Sequence, residues 1–113
     1  GVVGALGAAL AWHALGGVVQ TFIAIDGWGV PLFTPFPTYR LSHDEFTHRS
    51  CLVMGGGHAG FWAEPAVDHR QLWRSPHTTH GQVERHSYRW GFPAPRASMT
   101  AAQFIRECLM NKP

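Results

Sequence analysis

The first charged side chain of this 113-residue chain is Asp26. Residues 1–25 read GVVGALGAALAWHALGGVVQTFIAI, with His13, Gln20 and Thr21 as the polar interruptions. At ~1.5 Å per residue, a helix of that length reaches across the ~30 Å hydrocarbon core of a bilayer. A helix that is apolar all round has to be covered by lipid or by protein. The run therefore predicts a transmembrane helix over 1–25. Its glycines and alanines let neighbouring helix backbones approach closely in lipid. At ~100° per residue, Ala9, His13, Gly16, Gly17 and Gln20 fall on one face. That face is expected to pack on partner helices, because an unpaired imidazole or amide in hydrocarbon is costly.

Beyond the anchor, Gly27 and Gly29 end the helix, and Pro31, Pro35 and Pro37 keep the chain extended. Residues 26–41 read as an interfacial segment in which Trp28, Phe33, Phe36 and Tyr39 anchor at the membrane–water boundary. Residues 42–97 carry further prolines at 65, 76, 93 and 95 and read as an irregular extramembrane tail. Within it, Ser42 with Glu45 suggests the start of a short helix. The clearest periodic element is 98–110. Thr100 and Gln103 form a capping box there, and Ala101, Phe104, Ile105, Cys108 and Leu109 recur at helical spacing. Phe104, Ile105 and Leu109 are expected to dock this helix on a partner. The fold class expected is mainly α with much irregular structure: a single N-terminal transmembrane helix, an extended tail rich in Pro, Gly and aromatics, and a short C-terminal amphipathic helix.

The formal net charge of +2 gives no electrostatic footprint for nucleic acid. Arg outnumbers Lys, which suits interface pairing, as does the density of aromatic residues. Cys51 and Cys108 match no zinc or thioredoxin spacing and read as two unpaired, partly buried thiols, with pairing the alternative. The chain opens on Gly rather than Met. It is expected to be a processed product, as after removal of an import presequence, or a trimmed fragment.

Eight histidines invite a metal reading. His77-x-x-His80 with His86 nearby is the densest group, since imidazoles three apart can share a metal on a helix face. However, Pro76 precedes the pair and no Cys or carboxylate stands at ligand spacing, so solvated histidines are the simpler expectation. His13, inside an apolar helix, is a candidate for haem ligation or a quinone hydrogen bond. The fragment His13-Ala-Leu-Gly-Gly resembles the haem-ligand helices of succinate dehydrogenase anchor subunits, which implies a haem role for His13. Gln20 and Ala24 stand near where that pattern carries basic and acidic residues. No P-loop, dinucleotide fingerprint, HExxH or GxSxG motif is present. No catalytic residue and no cofactor is assigned.

The function expected is that of a non-catalytic accessory subunit of a multi-subunit membrane complex. Its partners would be other subunits and the lipid bilayer, and its setting a respiratory-chain complex of the mitochondrial inner membrane. Two alternatives stand beside it: a haem- or quinone-site anchor using His13, and a membrane-anchored His-rich metal-binding module.

Overall fold

A computed structural model describes residues 1–27, 30–55, 57–85 and 97–110. In chain order these form α1 (Val2–Ala14), β1 (Phe22–Ile25), β2 (Thr38–Ser42), α2 (Glu45–Cys51), a 3₁₀ turn (Leu52–Met54), β3 (Ala59–Ala63), α3 (His69–Arg74), β4 (His80–Arg85), β5 (Ala97–Thr100) and α4 (Ala101–Met110). The five strands make one sheet in the order β1-β2-β3-β4-β5. The pairings β1–β2 and β2–β3 are parallel, with Phe22 opposite Thr38 and Tyr39 opposite Ala59. The pairings β3–β4 and β4–β5 are antiparallel, with Phe61 opposite Val83 and Gly81 opposite Met99. The architecture is mixed α/β, which corrects the mainly α, irregular fold expected from the sequence.

The anchor fails at Gly16. α1 stops after 13 residues, about 20 Å at ~1.5 Å per residue. Among the described residues no helix is long and apolar enough to cross a membrane. The expected transmembrane helix over 1–25 and the integral membrane location built on it are therefore both corrected. The stop is a Schellman motif. Gly17 N–H donates to the Trp12 carbonyl at 2.8 Å, and Gly16 N–H to that of His13 at 3.0 Å. Gly16 sits at φ 89°, where a side chain is disfavoured. Gly17 lies against the Trp12 indole, so a Cβ there would collide with the ring. Phe22, Ile23 and Ile25, stiff at χ1 or aromatic, then form a strand rather than more helix.

The segment expected to lie along a membrane is instead the crossover from β1 to β2. Val30 and Leu32 are buried with Ala24, and Val2, Leu6 and Phe22 pack against them. Phe36 and Tyr39 are buried within the domain, Phe33 is exposed, and Trp28 lies outside the described residues. The crossover is tied down by Arg40, which is 2% exposed. Its Nε donates to the Gly55 carbonyl at 2.7 Å and its Nη1 to that of Gly27 at 2.9 Å. Nη2 donates to the carbonyls of Val30 and Met54. Burial lowers the guanidinium pKa, and the neighbouring Cys51 partly offsets this.

The tail also folds. All residues of β2 and β3 are buried, because both faces of these central strands are covered. One face carries Tyr39, Leu41, Ala59, Phe61, Ala63 and Val83 under Phe104 and Cys108 of α4 and Leu72 of α3. α2 packs on β2 and β3, with His48 stacked on Trp62 at 4.5 Å between ring centroids. Fully burying one such large apolar side chain contributes ~1.5–3 kcal/mol. Cys51 and Cys108 are free and buried. Burial, aided by Glu107, pushes the Cys108 thiol up to about 12.

Asp44, and not Ser42, caps α2. Ser42 closes β2, whereas the Asp44 carboxylate accepts the Thr47 N–H at 2.7 Å. Its pKa is lowered chiefly by the Thr47 side-chain hydrogen bond, with burial opposing and the Thr47 N–H and His43 assisting. A depressed carboxylate stabilises the fold above its unfolded pKa of ~3.9, and the effect is lost as pH falls through its lower folded value. Asp44→Ala is expected to cost ~1 kcal/mol at neutral pH. Denaturation midpoints of the two proteins should converge as the pH falls through that lowered folded value, where the carboxylate of the parent is also protonated. A gap that persists there would remove the charge-based account.

Candidate functional site

Among the described elements, α1 stands out for a surface at odds with its chemistry. It carries no charge, and none of its residues is buried. Val2, Leu6 and Ala9 lean on the domain and are partly covered. The opposite face is open. At ~100° per residue, Gly4, Gly7, Ala8 and Ala11 form its centre, with Val3 and Leu10 along one side and Trp12 along the other. Val3 is 69% exposed and Trp12 58%. A Cβ built on Gly4 or Gly7 meets nothing within 4 Å. Leu15 and Val18, just past the helix, extend the exposed apolar surface. The centre is flat and its edges are bulky, a shape that admits another helix at close range.

The packing face expected from the sequence does not form as one surface. Ala9 is turned toward the domain. His13 is exposed and sets its ring edge-on to Phe36 at 5.9 Å. Gly16 and Gly17 build the helix stop, and Gln20 lies in the link to β1. The outward face shares none of these residues. Its signal in the sequence is the small-residue set Gly4, Gly7, Ala8 and Ala11 at helical spacing.

The docking residues expected on α4 also separate. Phe104 is 2% exposed and packs on the chain's own sheet, 5.8 Å from Phe61 and 6.2 Å from Tyr39 between ring centroids. Ile105 is partly buried against the same core, and Leu109 is 63% exposed. The capping box forms: Thr100 N–H donates to Gln103 Oε1 at 2.8 Å, and Gln103 N–H to Thr100 Oγ1 at 3.2 Å.

Of the metal candidates, His77 and His80 are exposed, with His80 opening β4, and His86 lies outside the described residues. Among the described residues no group of three His, Cys, Asp or Glu side chains is placed to hold a metal ion. Other histidines carry more structure. His58 Nδ1 accepts the Thr38 N–H at 3.2 Å. His48 Nε2 stands 3.6 Å from the Glu84 carboxylate. His43 and His69 both meet Asp26, a junction that local sequence spacing does not reveal, since Asp26 and His69 are 43 positions apart.

No protein-family model, curated protein or solved structure matches the chain.

Proposed function

We propose that the chain is an accessory subunit of a larger protein assembly, docked through the outward face of α1 onto an apolar helix of a different subunit. The observation that carries this reading is an uncharged helix with no buried residue on an otherwise well-packed domain. Leaving Val3, Leu10, Trp12, Leu15 and Val18 in water forgoes ~25 cal/mol for each Å² of apolar surface. Covering them on a partner recovers it. Contiguous apolar patches of this kind mark interaction surfaces. The glycine and alanine centre favours a helix as the occupant, because only a close-approaching backbone fills the flat strip between the bulky edges.

The test is affinity capture of the tagged full chain from its native source, beside an Ala8→Glu/Ala11→Glu variant. The parent should retain one subunit in stoichiometric amount, and the variant should bind it at least about thirtyfold more weakly, equivalent to ~2 kcal/mol for a charge in an interface centre. Both positions are exposed, so the thermal midpoint should stay unchanged. Equal capture by parent and variant would exclude α1 as the docking element. If light scattering instead shows a parent dimer that the variant makes monomeric, the occupant is a second copy and the accessory-subunit reading fails.

A further inference from the structure

The carboxyl ends of β1 and β2 carry an acid–base cluster remote in character from the apolar α1 face. In sheets with parallel strands, ligands bind beyond the carboxyl ends of those strands. Asp26 follows β1 and His43 follows β2, its parallel neighbour. His69 opens α3. The Asp26 side chain is only 8% exposed. Its Oδ1 accepts the His43 N–H at 2.9 Å and stands 3.0 Å from His43 Nδ1. Its Oδ2 stands 2.5 Å from His69 Nδ1. His43 Nε2 in turn lies 3.3 Å from Asp44 Oδ2. Asp26 has φ 52°, a left-handed conformation that residues other than glycine adopt at a steric cost. An open cleft of about 380 Å³ lies here, lined by Asp26, His43, Phe46, Thr47 and His69.

We propose that this cleft hydrolyses a small neutral acyl ester, with His69 as the catalytic base and Asp26 and His43 as positioning residues. The Asp26 contact assigns the His69 proton to Nδ1 and leaves the lone pair on Nε2. The His69 side chain is 57% exposed, so Nε2 is open to a ligand. Asp26, sheltered from water, orients the ring and stabilises the imidazolium that forms on proton uptake. His43, bonded through both its backbone and its ring, fixes the carboxylate in turn. The Phe46 ring, 77% exposed, supplies an apolar wall for the acyl or leaving group. Among the described residues no Lys or Arg lines the cleft, which favours a neutral substrate over an anionic one.

In the step, a water oxygen forms a bond to the acyl carbon while its proton passes to His69 Nε2. The carbon–oxygen bond to the leaving group then breaks, and the departing oxygen takes that proton from Nε2. Carboxylic acid and alcohol are the products, water is the sole co-reactant, and nothing is oxidised or reduced.

The experiment follows hydrolysis of 4-nitrophenyl acetate by the full chain, with free imidazole as the reference. The full chain should exceed equimolar imidazole at least tenfold, and His69→Ala should lower kcat/KM about a hundredfold. Added imidazole should restore part of the His69→Ala loss, which a merely structural effect would not allow. Asp26→Asn keeps a residue that tolerates the left-handed backbone. It should lower kcat at least about tenfold with KM unchanged. Phe46→Ala should act mainly on KM. His77→Ala, at an exposed position off the cleft lining, should leave the rate unchanged. A parent rate no greater than that of imidazole, or a His69→Ala variant as active as the parent, would overturn the proposal. His69 is exposed, so that variant decides the matter even if Asp26→Asn fails to fold. The Ala8→Glu/Ala11→Glu variant should hydrolyse the ester normally, which keeps a failure of the docking reading distinct from a failure of this one.

Discussion

Arg40→Met should lower the free energy of unfolding by about 3–5 kcal/mol, read as a large drop in the urea midpoint. The guanidinium holds four backbone carbonyls, those of Gly55, Gly27, Val30 and Met54. A hydrogen bond to a charged group contributes ~1.5–3 kcal/mol, and a buried acceptor left without its donor costs ~1–3 kcal/mol. Removing the charge itself returns part of this, because a desolvated cation is expensive to bury. Against a total stability of ~5–15 kcal/mol for a domain of this size, the net loss is severe. Arg40→Lys should rescue little, since an ammonium is a single point of donation and the acceptors are spread around a planar fork. Arg49→Met is the control. Arg49 makes an exposed pair with Glu45 at 3.2 Å, a class of contact worth ~0.3–0.5 kcal/mol. A loss under ~1 kcal/mol for Arg40→Met would mean that the crossover and the 3₁₀ turn keep their places without the guanidinium.

Phe104→Ala should cost about 3–5 kcal/mol, the range for emptying a buried aromatic site. Its ring stacks on Phe61 and meets Tyr39 edge-on, so the cavity opens at the centre of the face that α4 covers. Phe104→Leu should lose less, because most of the volume is kept. Leu109→Ala, on the same helix but 63% exposed, should change stability by no more than ~0.5 kcal/mol. Parallel urea titrations of the three variants separate the positions. Equal, small losses at Phe104 and Leu109 would mean that α4 is not held on this sheet.

That contrast shows how far the sequence could be read. A helix was expected over 98–110 because its apolar spacing and its Thr100–Gln103 capping box are local signals; residues 101–110 form α4, and 98–100 belong to β5. What the helix packs on was not legible, since helical spacing identifies an apolar face without naming its cover. The uncharged run 1–25 misled for a related reason. Hydropathy sums over the run and is blind to Gly16 and Gly17, although paired glycines after an apolar helix are a stop signal. β3, AGFWA, is buried on both faces and lacks the alternation that marks a half-exposed strand, whereas β2, TYRLS, alternates polar and apolar residues yet is buried throughout. Arg40 inside β2 further disguised that strand as surface. The junction of Asp26, His43 and His69 is created by parallel pairing and by the placement of α3. No spacing rule along the chain anticipates it.

The sheet order matches the chain order, and this bears on how the molecule is made. Each strand pairs with the one synthesised just before it, so the sheet extends at a single growing edge and no strand has to be threaded between two that are already joined. Chains emerge from the ribosome N-terminus first, at ~5–20 residues per second. β1 to β3 are therefore in place before β4 and β5 arrive. α4 follows β5, and until it emerges the Tyr39 and Phe61 side of the sheet is only partly covered. The nascent domain is at its most adhesive between the emergence of β3 and that of α4, whose Phe104 and Cys108 complete the cover begun by Leu72 of α3.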